Sequence, residues 1–243
     1  MVYGDAPSAA TPKTHVLTYE GRSFGEAGEG AGQFKLPRFI AAAPNGNVVV
    51  SDFVNQRLQL VSGTGKAVGA ALPEMRGTAP GQVVGPSGVA CDGSHLFLCE
   101  GGNHRVQKIL LADGTPISRA SSHGRGDGHL WCPMGIAVAK RFTASETETS
   151  KSDVFVADNI NGRVAVYAAS DLEFLRSFGE RGSEPGQLLY PTGIAVKDEE
   201  VFVSETGNHR ISVFSKKGDF QRCFGSGPGA SALSAASLAV CTV

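Results

Sequence analysis

Short apolar runs recur along the chain, each bounded by glycine, proline or asparagine. Small-residue runs ("FIAAA", "GVAC", "GIAVA", "GIAV") follow Pro37, Pro86, Pro133 and Pro191. Beyond each lies a strongly apolar run that closes on an acid: "NVVVSD", "LFLCE", "VFVAD" and "VFVSE". Apolar runs this short and this continuous read as strands covered on both faces. A third set alternates more ("RLQLVS", "RVQKILL", "RVAVYAA", "RISVFS"), so one of its faces is wetter. A turn with Gly or Asp then leads to a last run, as in "LEFLRSFG" and "DFQRCFG".

The markers around these runs repeat in register. The acids are Asp52, Glu100, Asp158 and Glu205; Asn55, Asn103, Asn161 and Asn208 stand three places on, and Arg57, Arg105, Arg163 and Arg210 five places on. A Gly-Gln or Gly-His step precedes each proline, at Gly32, Gly81, Gly128 and Gly186. The period is about 48 residues, and one interval is roughly ten longer, which places an insertion over 139–153. The acid-x-x-Asn-x-Arg word closes a hairpin between the second and third runs. Asparagine enters positive φ at low cost, so it is expected at the left-handed position of that turn. A unit of four antiparallel strands cannot bury both faces alone, whereas radial stacking can, and that is a β-propeller. The expected fold is therefore all-β, a propeller of four-stranded antiparallel blades over 14–243. The repeats fall at about 24–77, 78–124, 125–179 and 180–225, with a partial one at 226–243.

The stretch "GQLLYPTGIAV…VFVSETGNHRISVFSKKGDFQRCFG" resembles an NHL repeat, with Asn208-His209-Arg210 and Asn103-His104-Arg105 as its signature word. The resemblance covers nearly the whole chain. It implies an NHL β-propeller, usually of six blades, acting as a binding platform; in TRIM-NHL proteins that platform is joined to a RING ubiquitin-ligase module. The sequence itself carries no RING, B-box or coiled-coil segment. "HVLTYEGRSFGEAGEGAGQF" copies an outer strand and "CFGSGPGASALSAASLAVCTV" an inner one. The expectation is thus four complete blades plus a split or incomplete terminal blade, in a five-blade ring or a truncated six-blade one. An unclosed ring would leave sheet edges free for self-association. Residues 1–13 have no apolar leader core and read as a disordered tail.

Composition narrows the picture. A formal net charge of −1 is no electrostatic footprint for nucleic acid. No apolar run approaches the roughly 20 residues of a membrane helix, so no membrane partner is expected. The 5 cysteines form no Cys-x-x-Cys and read as thiols of a reducing compartment, which points to the cytoplasm.

The acid–arginine pairs recur once per blade, so Asp52/Arg57, Glu100/Arg105, Asp158/Arg163 and Glu205/Arg210 read as structural braces of the turns. His104 and His209 take the turn position that Gln56 and Gly162 hold elsewhere, and both are expected to point outward. They converge with no further ligands, so no metal or other cofactor is expected. The Gly-rich "GEAGEGAGQ" and "SHGRGDGH" lack the Gly-Lys-Ser/Thr of a phosphate loop and read as turns between blades. Aromatic and arginine residues dominate binding hot spots. The loop face carrying His104, Arg125, His129, Trp131, Arg181, Tyr190 and His209 is therefore the candidate protein-binding surface. The function expected is a non-catalytic protein-interaction scaffold or adaptor, with a protein or peptide partner. The resemblance adds substrate recognition linked to ubiquitin ligation, and RNA binding as an alternative. RNA is disfavoured by loops that set Glu26 and Glu29 against Arg76, and Glu180 and Glu184 against Arg181. A propeller lyase or hydrolase is the remaining alternative, for which the sequence offers no catalytic constellation.

Overall fold

The structure is a computed structural model that describes residues 24–68, 76–140 and 151–225. The tail at 1–13, the N-terminal blade fragment up to residue 23, the partial repeat at 226–243 and most of the insertion lie outside the described residues. Two short strands, β1 (Glu26–Ala27) and β2 (Gln33–Phe34), pair in parallel ahead of the first blade. Four antiparallel sheets follow. Blade 1 has β3 (Pro37–Ala42), β4 (Val48–Asp52) and β5 (Arg57–Val61). Blade 2 has β6 (Pro86–Cys91), β7 (His95–Glu100), β8 (Arg105–Leu110) and β9 (Pro116–Ala120). Blade 3 has β10 (Pro133–Lys140), β11 (Ser152–Asp158), β12 (Arg163–Ala168) and β13 (Phe174–Phe178). Blade 4 has β14 (Pro191–Lys197), β15 (Glu200–Glu205), β16 (Arg210–Ser215) and β17 (Phe220–Phe224). In every sheet the strands pair in chain order. In blade 1 the fourth position shows only a bridge from Val61 to Ala67, next to the undescribed residues 69–75. In the sequence, the insertion falls between β10 and β11.

The second strand of a blade is apolar throughout because it lies between two neighbours. Side chains alternate across a strand. In β7, Leu96 and Leu98 join a cluster with Phe39, Val49 and Leu58 of blade 1. Phe97 and Cys99 join another with Val154, Val156 and Tyr167 of blade 3. In the same way, Phe155 packs with Val201, Val203 and Phe214 of blade 4. The core is thus a series of interblade layers rather than one centre.

The inner strands lie side by side in the order β3, β6, β10, β14. Their small residues permit this approach. A Cβ on Gly88 would stand 2.2 Å from the Met134 carbonyl oxygen, and one on Gly135 2.6 Å from that of Thr192. Between these strands a cavity of about 70 Å³ is lined by aliphatic residues, among them Ile40, Val89, Ile136 and Ile194.

The hairpin word departs from expectation at one position. Asparagine is not the left-handed residue. The next residue is: Gln56, His104, Gly162 and His209 have φ of 56°, 53°, 68° and 52°. The recurrent asparagine is there for its side-chain amide. Gly162 has a further reason to be glycine, since a Cβ there would stand 2.7 Å from both the Arg181 Cα and the Leu188 carbonyl oxygen. Gly162→Ala adds a left-handed alanine and a backbone clash, so it is expected to lower the unfolding free energy by about 2 kcal/mol or more. His209→Gly keeps the same backbone and is expected to stay within about 1 kcal/mol of the parent. Urea denaturation of the two variants checks both outcomes.

Candidate functional site

Each acid at the end of a second strand is buried, with Asp52, Glu100 and Asp158 at 0% exposure and Glu205 at 2%. A buried carboxylate must be paired and hydrogen-bonded to persist. Three donors meet this need in the same way in every blade. The arginine Nε donates at 3.0, 2.6, 2.8 and 2.8 Å in blades 1 to 4. The asparagine Nδ2 donates at 2.7, 2.6, 2.8 and 2.6 Å. The backbone N–H two places before the proline (Lys35, Val84, Trp131, Leu189) donates at 2.7, 3.0, 2.8 and 2.9 Å. A side chain on the third strand adds a bond in three blades: Gln59, Gln107 and Ser212. In blade 3 that position is Ala165. Asp158 accordingly sits above the usual carboxylate range, because burial outweighs the bonds from Trp131, Asn161 and Arg163.

The network also fixes the loop that enters each blade. Arginine Nη2 donates to Gln33, Gln82, His129 and Gln187 carbonyls at 2.9, 2.7, 2.7 and 2.7 Å. The asparagine amide reaches Gly28, Gly77, Gly124 and Gly182 carbonyls at 2.9–3.0 Å. The residue held by the carboxylate is gripped again at its own carbonyl: Val54 N–H donates to Lys35, Gly102 to Val84, Ile160 to Trp131 and Gly207 to Leu189. Pinned on both sides, the next residue adopts positive φ immediately before the proline: Leu36 57°, Gly85 62°, Cys132 56° and Tyr190 50°. That conformation is disfavoured both by the Cβ and by the following proline. Every loop and hairpin of this network lies at one end of the blades.

The candidate binding residues sit on this end, but not as one patch. Arg125 lies over the Trp131 ring at 5.1 Å, and Arg181 over Tyr190 at 4.7 Å. Arg181 also donates to the Tyr190 hydroxyl at 2.9 Å and the Ile160 carbonyl at 2.8 Å. His129 stands where other blades have the Gly-Gln glutamine, and its Nδ1 meets Ser122 Oγ at 3.0 Å. His209 is exposed. Contrary to expectation, His104 does not point freely outward; it is half-buried, and its Nδ1 accepts the Cys132 N–H at 3.0 Å. Gln56 does the same one blade earlier, accepting the Gly85 N–H at 2.6 Å. This turn position ties one blade to the next.

Sequence reasoning missed four participants. His123 stacks between His104 (4.7 Å) and Trp131 (4.9 Å). Arg38 lies over Phe53 at 3.4 Å. Asn161, read as a turn former, and Arg163, read as a brace, line a cleft of about 550 Å³ with Arg125, Glu180, Arg181 and Tyr190. The signal for His123 was present in "SHGRGDGH", where a histidine starts the loop that precedes Trp131. Among the described residues, no three of His, Cys, Asp and Glu come together as a metal site.

Burial and then the neighbouring His123 hold the His104 imidazole below its usual range. A group depressed in this way contributes stability that is present above its unfolded value and lost as pH falls through the folded one. Protonation at Nδ1 also removes the acceptor for Cys132. The thermal midpoint is therefore expected to fall between neutral pH and about pH 5, and His104→Gln, copying Gln56, is expected to flatten that fall. Thermal scans of both proteins across pH test this.

A family model described as "NHL repeat" matches residues 188–214. Protein brain tumor of Drosophila melanogaster is 31% identical over 102 residues, 41% of this chain and 9% of the fly protein. Human E3 ubiquitin-protein ligase TRIM32 is 42% identical over 55 residues, 21% of this chain and 8% of that protein. The alignments thus span less than a tenth of these relatives. Among solved structures, virginiamycin B lyase from Staphylococcus aureus superposes with a TM-score of 0.55 at 16% identity, over 80% of this chain and 57% of the lyase. At that identity the likeness concerns the propeller fold.

Proposed function

We infer that the chain, which belongs to the NHL-repeat family of β-propellers, is a non-catalytic platform that binds a protein or peptide partner on its loop end. The observation that carries this reading is the row of arginine-backed aromatics there: Arg38 on Phe53, Arg125 on Trp131 and Arg181 on Tyr190. Guanidinium–ring stacks place large, rigid, amphipathic surface where little entropy remains to be lost on binding. The carboxylate network beneath holds the loops in place before a partner arrives, which lowers the ordering cost of association. One relative bears the name of an E3 ubiquitin-protein ligase. On that basis the platform's role is substrate recognition for ubiquitin ligation, with the ligase chemistry residing elsewhere.

Selection of a phage-displayed random peptide library on the folded chain tests the reading. Enriched peptides are expected to lose about tenfold or more in affinity on Trp131→Ala or Tyr190→Ala, as for hot-spot truncations. Lys217→Ala, at the opposite end of blade 4, is expected to leave binding intact. The reading fails if no peptide is enriched, or if single-stranded oligouridylate binds more tightly than any peptide with a steep salt dependence.

A further inference from the structure

Blade 3 breaks the pattern of its neighbours at one place. In blade 4 the Asn208 amide oxygen accepts a bond from Ser183 Oγ at 2.9 Å, and Arg210 Nη1 donates to the Ser183 carbonyl at 2.8 Å. In blade 2, Arg105 Nη1 makes the equivalent bond to the Thr78 carbonyl. The corresponding residue of blade 3 is Arg125, whose side chain turns onto Trp131 instead. Two groups are left over. The Asn161 Oδ1 is buried with no hydrogen-bond partner among the described residues. Arg163 donates through Nε and Nη2 to Asp158, Gly126 and His129, but no bond from its Nη1 to the Arg125 carbonyl is present among the described residues.

Asn161 and Arg163 both line the cleft of about 550 Å³ between blades 3 and 4, with the Asn161 oxygen beneath its wall. Arg181 stands on its other side, fixed by Ile160 and Tyr190 and with guanidinium donors to spare. Arg125 closes one rim. Glu180 is the one carboxylate in the lining, and its Oε1 already accepts a bond from Gln187 at 2.9 Å. The cleft therefore offers several fixed cationic donors around a single buried acceptor. A buried acceptor without a partner is costly and becomes favourable once an N–H meets it.

We propose that this cleft binds an acidic peptide segment, with an Asp or Glu carboxylate held between Arg163 and Arg181 and a neighbouring backbone N–H donated to Asn161 Oδ1. The planar, two-oxygen carboxylate matches the guanidinium fork. The lone acceptor selects against a phosphodiester, which has no hydrogen to donate, and Glu180 repels a polyanion. The inference rests on the platform reading and names the chemistry of one part of its partner.

The test titrates the intact chain with acetyl-Gly-Gly-Asp-Gly-Gly-amide, its Asn counterpart, inorganic phosphate and oligouridylate. Binding is followed by ligand-observed NMR and by emission of Trp131, the chain's 1 tryptophan, on which Arg125 lies. The Asp peptide is expected to saturate, and the Asn peptide to bind about tenfold more weakly, as for loss of a charge-assisted bond. Asn161→Leu and Arg181→Met are each expected to weaken the Asp peptide about tenfold. Arg181→Met is expected to leave the thermal midpoint unchanged, whereas Asn161→Leu, which also removes a donor to the buried Asp158 carboxylate, is expected to lower it. Glu180→Gln, an exposed change that leaves the fold untouched, is expected to strengthen it about twofold. Equal affinity for the Asp and Asn peptides, tighter binding of phosphate or oligouridylate, or indifference to Asn161→Leu together with Glu180→Gln overturns the proposal. Selected peptides that need Trp131 but ignore Arg181→Met would sink the cleft while leaving the platform reading intact.

Discussion

A carboxylate buried at the end of the second strand has to be answered from every side. Leaving it short of partners would cost several kcal/mol, and the repeat is built around avoiding that. Its arginine and asparagine come from the hairpin that follows, and its backbone donor comes from the loop that precedes the blade. Because those donors lie in different segments, satisfying the charge also joins them. The same arginine then spends its remaining donors on loop carbonyls. Hairpin and entry loop thereby become one rigid unit.

That rigidity explains a backbone that would not persist alone. Each blade holds a residue in the left-handed region directly before a proline, and in blades 1, 3 and 4 it is not glycine. Conformations of this kind cost of order 1–3 kcal/mol and survive where the surroundings over-determine them. Here the preceding residue is bonded at both its N–H and its carbonyl, so the strain is locked in. The result is a set of side chains held at one end of the blades on positions that differ from blade to blade: Leu36, Cys132 and Tyr190, with Trp131 beside them. The repeated parts hold the frame, and the unrepeated ones carry the side chains proposed to meet a partner. Blade 3 departs furthest: it lacks the third-strand hydrogen-bond donor at Ala165 and the loop hydroxyl that caps Asn208 in blade 4.

The architecture was legible because its determinants are local and periodic. The proline, the acid, the asparagine and the arginine keep fixed spacings, and continuous apolar second strands announce burial on both faces. What could not be read was which atom each marker uses. Asparagine looked like a turn former for its backbone, yet its amide is what recurs, and the left-handed residue is its neighbour. The two histidines looked equivalent by alignment. One accepts a bond from the next blade and the other is exposed, a difference set by what lies across the seam. The cleft lined by Asn161 and Arg163 escaped notice for a related reason: it arises from a bond that two other blades make and blade 3 does not, and only coordinates reveal where Arg125 goes instead.

If the carboxylate is what makes the loops rigid, the amides that donate to it will behave like core amides. Native-state hydrogen exchange at Lys35, Val84, Trp131 and Leu189 measures this directly, since all four lie in loops outside the strands. The account predicts protection comparable to that of the central strand residues Phe97 and Phe155. Exchange at the rate of an open surface loop would contradict it.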